Sequence, residues 1–586
     1  MTNPAFWGMD PLNEWNAATW ELFRCCLLRT MMSYDVAGDA SELRPIPDLA
    51  TAPPDISADG LTWTFHLREG IQYAPPLENV EITSQDFVRA ITRAAHAADP
   101  DAPGLTSYLD MIEGFDAYVH DEATSIVGLQ TPDQYTLRIT TTRLDATLLY
   151  MLALPITAPI PPQPDSASAP FGVASGYDDQ AAEPDGGAES YGPVLVASGP
   201  YMVEGADQLD LSLPPEQRTA PSGFTPWQVE VLGQDELRVE SAGAITLVRN
   251  PSWRPENDPL RAALADRLEV AGGEADALFR QMREGEIDLV FDADPPPATI
   301  QAYQDDPALR PLIQSPVGSL GLVFASFNVA MPPFDDVAVR RAVAYAMDRA
   351  GLAEMFSPGT RPAQHFGLDT FEASLLASWA GIPGAGGHGD PSAAQASMRE
   401  SPYATGDRCS DPSCDGMPIL MLDSMRPGLP KFRETLVDLG ITPEIRLTEA
   451  PYDCLDPEAK IGMCIGMGWF PDFPSAAQYL GAFFGSDGAL PTTRLGATPS
   501  ELRRWGYEVT EVPSVDDEIE RCERELGSEQ APCWSRLDQY VVTQLMPAVP
   551  LGFIGTLRLS SPDIGPFPWD EVYVQPALER IPAPSG

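Results

Sequence analysis

The sequence predicts a mixed α/β protein built from more than one domain. Three observations lead there. Stretches that alternate apolar and polar residues interleave with stretches of helical period along the whole chain. The 586 residues exceed what one hydrophobic core usually organises, and the length suggests about two to four domains. No apolar run approaches the roughly 18 residues that cross a bilayer as a helix.

In chain order, residues 15–34 read as a helix with Trp20, Leu22, Phe23, Cys26 and Leu27 inward. Two prolines at 45–47 lead into a new unit. Leu61 to Arg68 alternates strictly, with Leu61, Trp63, Phe65 and Leu67 on one face, which is the pattern of a half-buried strand. His66 falls on its polar face. Thr83-Ser-Gln-Asp86 forms a capping box before a helix, and Tyr135 to Thr141 is another alternating strand. Residues 160–193, rich in Pro, Asp, Ser and Gly, read as a flexible surface loop. Strands are expected from Ser198, at Ile245 to Pro251, at Gly285 to Phe291 and at Leu322 to Asn328, with a helix at Ala275 to Arg283. Phe334 to Arg349 is the clearest helix, capped by Asp335 or Asp336, with Val339, Val343 and Met347 on one face. Residues 380–416 read as loop. Strands at Ile419 to Leu422 and Thr442 to Arg446 flank a helix at Phe432 to Leu439.

The formal net charge is −49, and only Lys431 and Lys460 among the 36 basic residues are lysines. So acidic a surface repels phosphate backbones, so no nucleic-acid partner is expected. No basic segment followed by an apolar one opens the chain, so no signal peptide is visible. Six of the eight cysteines fall into close pairs, Cys409/Cys414, Cys454/Cys464 and Cys522/Cys533. Even number and local pairing favour disulfides and an oxidising compartment. Zinc is the competing reading, but the spacings are not Cys-x2-Cys and histidine is scarce, so no metal or other cofactor is expected. Cys25 and Cys26 read as buried thiols rather than a vicinal bridge.

The stretch Ile461 to Leu480 is the candidate site. A slim apolar strand, Met463 to Met467, leads to Gly468, Trp469, Phe470 and Asp472 on a turn stiffened by Pro471 and Pro474, and then to a helix for which Ser475 is a cap. Glycine lets another backbone approach closely. An aromatic pair beside one carboxylate suits an extended ligand bearing a positive charge. The bland alternative is a core Trp and a surface Asp at a strand end. Gly384 to Gly389 matches Gly-x-Gly-x-x-Gly but follows no strand and opens no helix. No nucleophile elbow, P-loop or His-Glu-x-x-His is present, and nothing singles out a catalytic carboxylate pair.

Taken together, the ordered motifs resemble the extracellular solute-binding proteins of family 5, the peptide/nickel class that serves ABC importers. The residues that carry the resemblance are Cys26 to Asp35, Asp48 to Ala50, Ala58 to Gly70, Ile82 to Val88, Ser198 to Tyr201, Arg249 to Pro251, Gly285 to Asp288, Asn328, Pro333 to Arg340, Ala346 to Arg349 and the Gly468-Trp469 stretch. They extend over residues 10–581.

The resemblance implies a type II periplasmic-binding-protein clamp with two lobes and an extra middle domain. Its expected boundaries are 1–43, 155–270 and 552–586 for a discontinuous lobe I, 44–154 for the middle domain and 271–551 for lobe II. It implies a binding protein, not an enzyme, that captures short peptides between closing lobes for an ABC permease and its ATPase subunits. Main-chain pairing with the ligand would supply affinity. Asp472 would receive the ligand's amino group, with Trp469, Phe470, Gly468 and Asn328 around it. A buried ammonium requires such a partner. A monomer is expected, in the periplasm or on the outer face of the cell membrane, with an export signal and lipid anchor ahead of residue 1. Where the family continues Asp-Tyr-Pro-Asp-Pro, this chain has Asp472-Phe-Pro-Ser-Ala476 and lacks the second acid. That departure keeps an oligosaccharide or other non-peptide solute open, and, more remotely, a secreted carboxylate hydrolase.

Overall fold

The computed structural model describes residues 9–583 except 15, 37–42, 99–104, 165, 167–168, 178–189, 227, 232–236, 242, 356–358, 369–370, 372–380 and 450–451. The chain divides into two units. The first comprises Met1–Asp39, Arg44–Gln314 and Arg558–Gly586; the second comprises Ser315–Leu557 with Ala40–Leu43. The second unit thus starts at Ser315, so residues 271–314, expected in lobe II, belong with the first. The physical reason is a strand pair, Ile313–Gln314 with Arg558–Leu559, that holds this segment beside the C-terminal one.

In the first unit, helix α1 (Ala17–Leu22) starts on Asn16, whose side chain accepts the N–H groups of Ala18 and Thr19, and continues into a π-helical turn, Phe23–Leu27. A four-stranded sheet runs β1 (Asp55–Ile56), β2 (Thr62–His66), β4 (Thr136–Thr140) and β3 (Leu129–Asp133), in that spatial order and antiparallel throughout. Trp63 and Phe65 of β2 are fully buried and His66 is exposed, as the alternation predicts. The amphipathic helix α2 (Ser84–Ala97) opens with the expected capping box of Thr83 and Asp86. A second sheet is built from β5 (Tyr201–Val203), β6 (Phe224–Thr225), β7 (Ala244–Arg249) and β8 (Arg267–Ala271); β7 is central and β8 forms an edge. Helix α3 (Ala275–Glu284) follows and ends on Gly285, whose left-handed φ of 75° suits glycine. Gly285 to Phe291, expected as a strand, makes only one bridge, Leu289 with Ser560. Part of the expected loop 160–193 lies outside the described residues; its described ends include two buried single-turn helices, Gly172–Ala174 and Gly192–Val194.

Buried charge ties this unit together. Asp48 accepts from Arg29 Nη2 at 2.7 Å and from Arg261 Nη2 at 2.8 Å. Arg24 meets three fully buried carboxylates, Glu21 (2.8 Å), Asp570 (2.5 Å) and Glu579 (3.3 Å). Beside it, Cys25 and Cys26 are paired with each other, which corrects the free-thiol reading. Both residues lie fully buried.

The second unit is organised on one six-stranded mixed sheet. In spatial order it runs β10 (Arg361–Pro362), β14 (Ala548–Ile554), β9 (Gly321–Phe327), β13 (Met463–Trp469), β11 (Asp415–Leu422) and β12 (Thr442–Thr448). β11 pairs parallel with β12 and β13, and the other contacts are antiparallel. Every residue of β9 and β14 is buried, which is why their sequences are apolar without alternation. Helices α4 (Val337–Ala346), capped by Asp336, and α5 (Pro391–Met398) pack together. The latter falls in a stretch expected to be loop; Asp390 caps it and Pro391 opens it. The unit also holds helices α6 (Leu429–Asp438), α7 (Ala477–Phe484) and α8 (Gln530–Tyr540), with Phe432, Phe483 and Trp534 in its core. The sulfurs of Cys409/Cys414, Cys454/Cys464 and Cys522/Cys533 are paired here.

Candidate ligand site

β13 sits between β9 and β11, and its two halves differ. Met463 to Ile465 pair on both sides, with Phe327 to Ala325 of β9 and Ile419 to Met421 of β11. At Gly466 the register with β9 slips by one residue, the mark of a β-bulge. Its φ is 90°, and a Cβ there would lie 2.6 Å from the Cβ of Leu422, so glycine is required twice over. Beyond the bulge, Met467, Gly468 and Trp469 pair with Phe324, Val323 and Leu322 of β9 alone. β11 has ended at Leu422, so the pairing edge of Met467–Trp469 on that side is free of a strand.

That open edge leads straight to the predicted residues. Gly468 is exposed, with no atom near the position a Cβ would take. Trp469 packs edge-on against Phe483 of α7, ring centroids 5.9 Å apart, and its indole N–H is buried without a partner among the described residues. Phe470 is 58% exposed, unusual for a large apolar ring. Asp472 is partly buried, and its main-chain N–H donates to Oε1 of the buried Gln478 at 3.0 Å. Phe473 and Ser475 are buried beneath it. Ser475 Oγ accepts the N–H of Ala477, the first residue of α7, close to the capping role expected of it.

Gln478 and Tyr479 were not singled out from sequence. Both are buried. The Tyr479 hydroxyl has no hydrogen-bond partner among the described residues, and burial together with the nearby Asp472 carboxylate raises its pKa well above that of a free phenol. A buried polar pair in the otherwise apolar Ala477–Phe484 helix was the signal that could have found them.

Asn328 is not brought to this place. It follows β9 at the Met463 end of the strand pair, about 20 Å of strand from Trp469. Its amide nitrogen donates to Ile461 O (3.1 Å) and Tyr507 Oη (2.8 Å), and its Oδ1 accepts from Ala330 N (3.1 Å). The contacts that engage it hold the start of β13.

The arrangement can do three things: accept a main chain along Met467–Trp469, offer aromatic faces at 469 and 470, and present one carboxylate at the turn. Residues 44–211 and 214–490 match the bacterial extracellular solute-binding proteins, family 5. The chain belongs to that family, and its α/β fold is of the type II periplasmic-binding-protein class. It is similar to a heme-binding protein A of Haemophilus influenzae, 24% identical over 52% of this chain and 45% of that protein. A di/tripeptide-binding protein 1 of Pseudomonas aeruginosa is 22% identical over 61% of this chain and 56% of its own. The matched region thus spans about half the length of these relatives. Among solved structures, a clavulanic acid biosynthesis oligopeptide binding protein 2 aligns with a TM-score of 0.71 at 22% identity, covering 99% of this chain and 93% of that one. A periplasmic murein tripeptide binding protein in its unliganded open form aligns at 0.65 and 16%, covering 98% and 93%. Among the described residues no helix is long and apolar enough to cross a membrane.

Proposed function

We propose that this chain is a receptor of an ABC importer that captures short peptides outside the cytoplasm and delivers them to a permease driven by ATPase subunits, with no covalent chemistry of its own. The observation that carries this reading is the edge of Met467–Trp469, left without a strand by the end of β11, with Asp472 three residues beyond it. An extended main chain pairs with such an edge, and a carboxylate at its end receives a positive amino group. Trp469 walls the pocket. Phe470, Gly468 and the turn form its rim, while Asn328 holds the strand from its far end. The names of several relatives, among them the di/tripeptide-binding protein, agree with a peptide. Within the first unit, residues 44–154 form the middle domain; a lipid anchor on the outer face of the cell membrane and a monomeric receptor complete the proposal.

Calorimetric titration with short peptides, free or acetylated at the amino end, tests this. Free peptides bind and acetylated ones bind more weakly. Heat with an oligosaccharide and none with any peptide overturns the peptide assignment. The exposed Phe470 beside Trp469 is the feature that favours that second reading, because sugar rings stack on aromatic faces.

A further inference from the structure

A cavity of about 650 Å³ lies wholly within the first unit and contains none of the residues of the candidate site. One wall is the edge strand β8. Its register with β7 tells which way its main chain points. In β7, Thr246 donates its N–H to Gly223 O and accepts from Glu204 N, so even-numbered residues bond away from β8. Odd-numbered Ile245 and Leu247 therefore bond toward β8, to Val270 and Leu268. The N–H of Gly272 on Gly243 O continues this alternation. Arg267, Glu269 and Ala271 then turn their main-chain N–H and C=O groups to the open side, where no described residue hydrogen-bonds to them.

The same strand leaves apolar surface uncovered. Leu268 and Val270 stand beside the buried Leu247 and Ile245 on one sheet face, yet they are only half-buried. Across the cavity lie Leu278 of α3 with Ile287 and Leu289, also half-buried. Residues 285–291 have strand-like sequence but do not take the place beside β8. The rim is acidic: Glu269, Glu286, Asp288 and Asp292 line it, and its Arg267 is engaged with Glu204 and Glu269. Burial raises the Asp292 carboxyl to about 6.

We propose that this slot is a second binding site, an acceptor for an extended apolar peptide segment that carries a cationic residue. Unpaired edge groups recruit a strand, the half-covered Leu268 and Val270 receive its alternate apolar side chains, and the acidic rim selects the positive charge. The volume is within the range of specific ligand pockets.

The probe is the blocked peptide acetyl-Lys-Val-Thr-Val-Thr-Val-amide, which has no free amino terminus to offer Asp472. Hydrogen exchange and calorimetry are read together. On binding, exchange slows at the amides of Glu269 and Ala271. Glu269→Pro removes only an outward N–H, a position where an edge strand tolerates proline, and weakens binding by about tenfold relative to Glu269→Ala. The same peptide N-methylated at alternate amides tests the pairing without any protein variant and binds weakly, too. No slowing at residues 267–271 at millimolar peptide, or equal binding of the methylated probe, overturns the proposal.

Discussion

Oε1 of Gln478, the second residue of α7, accepts the main-chain N–H of Asp472 at 3.0 Å. The helix that follows the turn therefore fixes the backbone from which the carboxylate projects. Gln478→Leu should keep the fold and lower affinity for free-amino peptides by about 1 kcal/mol, the usual value of one hydrogen bond. Asp472→Ala should cost more, because it removes the charge partner itself. Calorimetry on both variants checks the order; equal, unchanged affinities would make the turn purely structural.

Tyr479 carries a hydroxyl that is buried and unpartnered among the described residues. An unmet donor in a core is unfavourable. Tyr479→Phe should raise the midpoint of thermal unfolding, by about 1 kcal/mol of stability. A fall in the midpoint would mean the hydroxyl finds a partner in solution.

Gly466 bends β13 with a φ of 90° at the bulge. Gly466→Ala should destabilise the second unit by about 2–4 kcal/mol, through backbone strain and the contact with Leu422. Urea titration measures this, with the loss expected even without ligand.

Glu21, buried beside Asp570 and Glu579, has its pKa raised well above the ordinary 4.5, chiefly by burial, against the pull of Arg24. Its folded form therefore holds a proton that the unfolded form has released. The resulting stability is full below pH 4.5 and is lost as pH rises through the raised folded value. Glu21→Gln should flatten that decline, as read by urea midpoints across the acid-to-neutral range. Arg24→Met should cost about 3–5 kcal/mol, since it leaves its carboxylates without their cation.

Non-reduced peptide mapping should find Cys409–Cys414, Cys454–Cys464 and Cys522–Cys533 linked, together with Cys25–Cys26. Cys454→Ser with Cys464→Ser should lower stability by about 2 kcal/mol and loosen the loop before β13. Free thiols at all these positions would remove the argument for an oxidising compartment.

Periodicity made β2, α2, β9 and α4 legible because each buries one regular face or is buried entirely. The Trp469–Asp472 turn was legible as a motif. What escaped was set by tertiary context. Gly285 to Phe291 has the residues of a strand but does not join the edge of β8. The helix Pro391–Met398 hid in a proline- and glycine-rich stretch, although Asp390-Pro391 is a start signal. The bulge at Gly466 and the support from Gln478 depend on where β11 stops, which local sequence does not encode.

The cluster around Arg24 also sets an order for folding during synthesis. Apart from four residues, the second unit is contiguous, Ser315–Leu557, and can close its sheet once that span has left the ribosome. The first unit cannot. Arg24 precedes the second unit, but Asp570 and Glu579 follow it, so the unit begun first is completed only after the second has been made.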